Sequence, residues 1–99
     1  MEFDHLALNV KNVHESVQWY RKNLGASVEY EDETWAMLRC GGVKVALTIE
    51  GSHPNHAAFR VNSIDDFPAG CEIKQHRDGS WYYYDQDDSG NVIEWIKYD

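Results

Sequence analysis

Asp4–Lys11 reads DHLALNVK and Asn55–Asn62 reads NHAAFRVN, with a histidine second in each. Both stretches alternate with the period of two expected of a half-buried strand. In the first, Phe3, His5, Ala7 and Asn9 fall on one face and Leu6, Leu8 and Val10 on the other. In the second, His56, Ala58 and Arg60 oppose Ala57, Phe59 and Val61. The echo marks a chain built twice on one plan.

The first copy continues into the strongest helix signal of the chain. Asn12 is placed to cap, and Glu15 three residues later completes a capping-box pattern. Val13, Val17, Tyr20 and Leu24 then recur at helical spacing as one apolar stripe, and Gly25 stands where a helix ends. Residues 26–31, 34–40 and 43–50 read as strands, parted by the acidic turn Glu31–Glu33 and by Gly41–Gly42. The second copy offers strands at about 71–77, 80–86 and 91–97, with turns at Asp78–Gly79 and Asp88–Gly90. Val45–Thr48 aligns with Ile93–Ile96 without a gap, which sets Ala46 against Glu94.

One element has no counterpart. Between Val61 and Cys71 lie only the nine residues NSIDDFPAG, with Pro68 and Gly70 near the end, and no two-turn amphipathic helix fits there. At about 3.3 Å per residue, eight of these residues fully extended reach roughly 26 Å, enough to return along a strand and cross to the next one as a bare loop. The expected fold is therefore α+β: tandem βαβββ modules, one at residues 1–51 and one at 52–99 of a single domain, the second with its helix reduced to a loop.

Composition narrows the function. The 99 residues are 42% hydrophobic and include four Trp, six Tyr and three Phe, which excludes intrinsic disorder. No apolar stretch is long enough to span a membrane, and the opening MEFDHLALNV lacks a basic leader region, so a cytoplasmic location is expected. The formal charge of −8 repels phosphate backbones and anionic lipid, so neither nucleic acid nor membrane is an expected partner. Cys40 and Cys71 form no CxxC or zinc spacing.

His5, His56 and Glu94 sit at matching places: the first strand of each copy, and the last strand of the second. Taken singly, each histidine reads as a structural residue on a polar strand surface rather than as a ligand. Two imidazoles and one carboxylate at repeat-equivalent positions suit a borderline divalent cation, with positions left for substrate and water. Trp35, Met37 and Arg39 share one face of a strand and, with Arg60, Tyr82 and Tyr84, are candidates to line a substrate cleft. His14 is expected in solvent on the helix, and His53 and His76 carry no assigned role. Asp85, Asp87 and Asp88 read as a charged turn, since the twelve-residue calcium-loop pattern is missing.

The runs FDHLALNV, SVQWYRKNLG, NHAAFRV and DDSGNVIEW resemble the vicinal oxygen chelate superfamily, which holds glyoxalase I, extradiol dioxygenases, fosfomycin-resistance transferases and bleomycin-resistance proteins. The resemblance implies paired βαβββ modules with a cleft between them, and metal ligands at His5, His56 and Glu94. It also implies that two chains pair. Glyoxalase I-like enzymes carry a fourth ligand, a Glu, where this chain has Ala46; Glu50 faces the same way but lies about 13 Å further along the strand. Members with three ligands fit better, namely the iron(II) dioxygenases and the manganese transferases. Against the transferases, Ala7 replaces a hydroxyl residue and no Lys/Arg-rich anion pocket is evident; against the dioxygenases, the chain is short.

The expectation is a small metal-dependent enzyme, a lyase, transferase or dioxygenase. It would hold one divalent ion (Fe, Mn, Zn or Ni) and act on a small oxygen-bearing substrate through bidentate chelation. The alternative is a metal-free protein that sequesters a small molecule, as bleomycin-resistance proteins do. The missing helix also predicts a homodimer, because Ala57, Phe59, Val61, Ile93 and Trp95 share a sheet face with only Ile64 and Phe67 in the loop to cover them.

Overall fold

The computed structural model describes Met1–Tyr98. The order is β1 (Glu2–Val10), α1 (Val13–Leu24), β2 (Ser27–Glu31), β3 (Trp35–Cys40), β4 (Val43–Ile49), β5 (His56–Arg60), a 3-10 turn (Ile64–Asp66), β6 (Lys74–Gln75), β7 (Trp81–Gln86) and β8 (Val92–Lys97). Contacts divide the chain into two compact units: His5–Asn55, and Met1–Asp4 together with the chain from His56 onward. No helix among the described residues is long and apolar enough to cross a membrane.

In the His5–Asn55 unit the strand order is β2-β3-β4-β1, with β1 parallel to β4 and the other pairs antiparallel. Asn12 is extended, and its Oδ1 accepts the Glu15 N–H at 2.9 Å, which satisfies a donor the helix leaves open. Gly25 closes the helix at φ 64°, where its N–H donates to the Arg21 carbonyl at 3.1 Å. Val13 and Val17 pack on Ala36, Leu38, Val45 and Leu47, with Leu8, Val10 and Tyr20 at the margin. Leu24, expected in the same stripe, is 55% exposed, because the helix ends there and turns away at Gly25.

The opposite face of this sheet is built in rows. Ala7, Ala46 and Met37 lie in register across β1, β4 and β3, followed by Asn9, Thr48 and Trp35. The Thr48 hydroxyl donates to Asn9 Oδ1 at 3.0 Å, and the Asn9 N–H donates to Asn55 Oδ1 at 2.6 Å. Polar side chains buried on this row thus find their partners within the unit.

In the other unit the order is β5-β8-β7-β6, with β5 parallel to β8 and the remaining pairs antiparallel. One face carries His56, Ala58, Tyr82, Tyr84, Glu94 and Ile96; the other carries Ala57, Phe59, Tyr83, Ile93 and Trp95. The first residues of β1 belong here. Tyr98 donates its hydroxyl to Asp4 Oδ2 at 2.6 Å, and Phe3 sets its ring edge-on to Phe59 at 5.7 Å. Asp4 and His5 are buried in succession, so the burial pattern departs from strict alternation there.

The chain between β5 and β6 has no α-helix. Ser63 caps the short 3-10 turn, its Oγ accepting the Asp65 N–H at 3.2 Å. Phe67 is 6% exposed and Val61 4%, whereas Ile64 is 40% exposed, so one of the two apolar loop residues is buried. The strand expected at 71–77 shortens to Lys74–Gln75. Two turns consume its ends: Cys71 N–H donates to the Pro68 carbonyl at 3.3 Å, and His76 N–H to the Ser80 carbonyl at 2.8 Å.

Candidate metal centre

Glu94 lies in the middle of β8, in register with Ala58 on one side and Tyr84 on the other. It is 1% exposed, among the most buried side chains of the protein. Two imidazoles reach it. His56 Nε2 stands 3.4 Å from Oε1, and His76 Nε2 stands 2.7 Å from Oε2. Tyr82 stacks on the His76 ring with centroids 3.6 Å apart and planes 9° from parallel. The Tyr84 ring lies 5.1 Å from that of His56 and 5.1 Å from that of Tyr82.

Electrostatics keep this carboxylate ionised. Burial pushes Glu94 up, but the hydrogen bonds and charges of His56 and His76 outweigh it and hold the group at about 2. Tyr84 is pushed the other way, first by burial and then by the charge of Glu94 and the Tyr82 phenol, so it keeps its proton. The centre thus joins an anion, two imidazoles and a neutral phenol on one sheet face.

The donor set fits a divalent ion. With ligand bonds of about 2.0–2.2 Å, neighbouring donors in a tetrahedral or octahedral shell lie about 2.8–3.6 Å apart. The 3.4 Å between His56 Nε2 and Glu94 Oε1 falls in this range. His5, the third expected ligand, is on β1 in the His5–Asn55 unit and is 7% exposed. Ala46 is 5% exposed in its row with Ala7 and Met37, and a methyl group cannot coordinate. Glu50 is exposed in the turn after β4.

The remaining candidates divide by unit. Tyr82 and Tyr84 stand beside the Glu94 cluster, as described. Arg60 pairs with Glu2 and lies 3.6 Å from Asp4 Oδ1. Trp35 is half-buried against the Tyr30 ring at 4.7 Å, Met37 is half-buried, and exposed Arg39 pairs with Glu29 at 3.2 Å. His14, although exposed, hydrogen-bonds Glu31 at 2.9 Å. The acids after β7 form the expected turn, in which Asp87 accepts from Ser89 and Asn91.

Sequence reasoning missed His76. A signal for it existed: the Asp78–Gly79 turn makes His76 and Ser80 the ends of a hairpin, and Ser80, Tyr82 and Tyr84 alternate onto one face. Counting through the turn places His76 on the face that holds Glu94.

The α+β arrangement, a βαβββ unit and a second strand-rich unit, is the glyoxalase-like fold. A family profile for the Glyoxalase/Bleomycin resistance protein/Dioxygenase superfamily matches residues 2–73, and the chain belongs to that superfamily. The metallothiol transferase FosB of Staphylococcus epidermidis is 29% identical over 99 residues, covering 92% of this chain. The chain spans 63% of the length of that relative, and the same figures hold for FosB of Staphylococcus haemolyticus. Methylmalonyl-CoA epimerase from Mycobacterium tuberculosis superposes with a TM-score of 0.76 at 17% identity, over 99% of this chain and 88% of its own. The Mn(II)-bound glyoxalase from Novosphingobium aromaticivorans superposes with a TM-score of 0.67 at 18% identity, over 96% of this chain and 37% of its own. These structural likenesses show a shared fold.

Proposed function

We propose that the protein is a small metal-dependent enzyme in which His5, His56 and Glu94 each give one donor atom to a single divalent ion: Fe, Mn, Zn or Ni. The observation that carries this reading is the buried, ionised Glu94 with His56 Nε2 3.4 Å from its Oε1. The metal-dependent relatives, a metallothiol transferase and a Mn(II)-bound glyoxalase, support it. When bound, the ion supplies Lewis acidity to a small substrate that chelates through two oxygens. Glu94 brings the compensating charge, and the protonated Tyr84 beside His56 offers an O–H to a substrate oxygen. Ala46 leaves β4 without a carboxylate, which favours three-ligand lyase, transferase or dioxygenase chemistry over a mechanism that needs a fourth ligand as base.

Homodimerisation is part of the same proposal. Phe59, Ile93 and Trp95 stay only half-buried on their face, and a second copy would cover them.

Thermal melts with and without Mn(II) test the metal reading. At about 100-fold above Kd, ligand linkage is worth about 2.7 kcal/mol, a rise of upwards of about 10 °C for a chain this short. The combined variant His5→Ala, His56→Ala, Glu94→Ala should show none of it. An equal rise in that variant would end the reading, and a flat wild-type response with retained small-molecule binding would favour the sequestering alternative.

A further inference from the structure

The two oxygens of Glu94 are not equivalent. Oε1 lies 3.4 Å from His56 Nε2, a separation suited to two ligands of one ion. Oε2 lies 2.7 Å from His76 Nε2, which is the length of a charge-assisted N–H···O bond. The His76 ring is fixed from three directions. Its backbone is held in the hairpin turn, where the His76 N–H donates to the Ser80 carbonyl at 2.8 Å and the Gly79 N–H to the His76 carbonyl at 3.0 Å. Its face lies on Tyr82 at 3.6 Å, and its Nε2 is committed to the carboxylate. The turn itself is braced by Asp78 Oδ1, which accepts the Ser80 N–H at 2.9 Å and hydroxyl at 2.6 Å.

We infer that His76 is a positioning residue for this centre: its Nε2–H holds Oε2 of Glu94, so the carboxylate presents Oε1 alone to the ion. That role presupposes the ion proposed above. A carboxylate free to swing can bind through one oxygen or both, whereas a clamped one fills one position and leaves a further position for an oxygen of the substrate. With Ala46 in place of a fourth ligand, the clamp adds to the room a chelating substrate needs. An ionised carboxylate only accepts, so the Nε2 at 2.7 Å carries the hydrogen and that nitrogen stays outside the coordination shell.

Co(II) titration of the metal-free protein, followed by visible absorption, tests this with His76→Leu and His76→Gln. Losing an outer-shell hydrogen bond typically costs about 10–100-fold in metal affinity, and His76→Leu should show a loss of that size. His76→Gln, whose side-chain amide donates from nearly the same place, should recover most of it. The number of coordinating nitrogens, counted by electron paramagnetic resonance of the Cu(II) form, should not change in either variant. Should His76→Leu not fold, as judged by circular dichroism, His76→Asn replaces it, since the shorter amide falls short of Oε2. Equal Co(II) affinity in wild type and the Leu or Asn variant would overturn the clamp and leave the metal reading intact. Loss of one nitrogen would make His76 a ligand and overturn it too. A wild type that takes up no Co(II) would overturn both.

Discussion

Glu94 is held as an anion while 1% exposed, and an unpaired carboxylate at that depth would cost several kcal/mol. His56 and His76 supply the compensation from opposite oxygens, at 3.4 and 2.7 Å. Asp32 shows the contrary case, a half-buried carboxylate held well below the usual range by hydrogen bonds alone. Tyr30 contributes most, followed by the backbone N–H of Trp35 and the hydroxyl and N–H of Thr34. A carboxylate depressed in the folded state stabilises above its unfolded value, about 3.9, and that stability is lost as pH falls below it. The urea midpoint of the wild type should therefore fall more between pH 5 and pH 2.5 than that of Asp32→Asn. Equal falls would mean that the loop around Asp32 does not couple to folding. The pairing of His56 with Glu94, 3.4 Å apart on one sheet face, was legible because strand alternation fixes a face and the internal repeat fixes a position. His76 was not, because the signal runs through a turn, where a one-residue difference reverses the face.

The helix was legible for the same kind of local reason. Its cap, stripe and terminal glycine all act within a few residues of each other, and α1 spans Val13–Leu24 as the pattern demands. Asn12→Ala should destabilise the protein by about 1 kcal/mol, read as a shift in urea midpoint with unchanged slope. No shift would mean that the Glu15 N–H finds another acceptor. The loop that replaces the second helix was also legible, since nine residues ending in Pro68–Gly70 leave no space for two turns. What escaped was set by tertiary contact. β6 is an edge strand paired with β7 alone, and turns on both sides cut it to two residues. Phe3 sets its ring edge-on to Phe59, a contact no local pattern encodes. Phe67 is 6% exposed and Ile64 40%, so Phe67→Ala should cost about 3–5 kcal/mol, while Ile64→Ala should cost well under half of that. Similar costs would place both residues in the core.

For the whole molecule, surplus negative charge and a half-covered apolar face pull in opposite directions. The net charge of −8 opposes self-association at low salt, while burying Phe59, Ile93 and Trp95 favours it at about 25 cal/mol per Å² of apolar area. Light scattering at micromolar concentration and physiological salt should give twice the chain mass of 11.5 kDa, drifting toward the monomer as salt is removed. A monomer at every salt concentration would contradict the proposed homodimer and leave the metal centre untouched. The metal centre is best tested by calorimetric titration of the chelator-treated protein with Mn(II) at neutral pH. The wild type should bind one ion per chain, and His5→Ala, His56→Ala and Glu94→Gln should each lose at least about tenfold in affinity. A wild type that takes up no ion, or three variants that bind as it does, would contradict the proposal that these residues hold a metal.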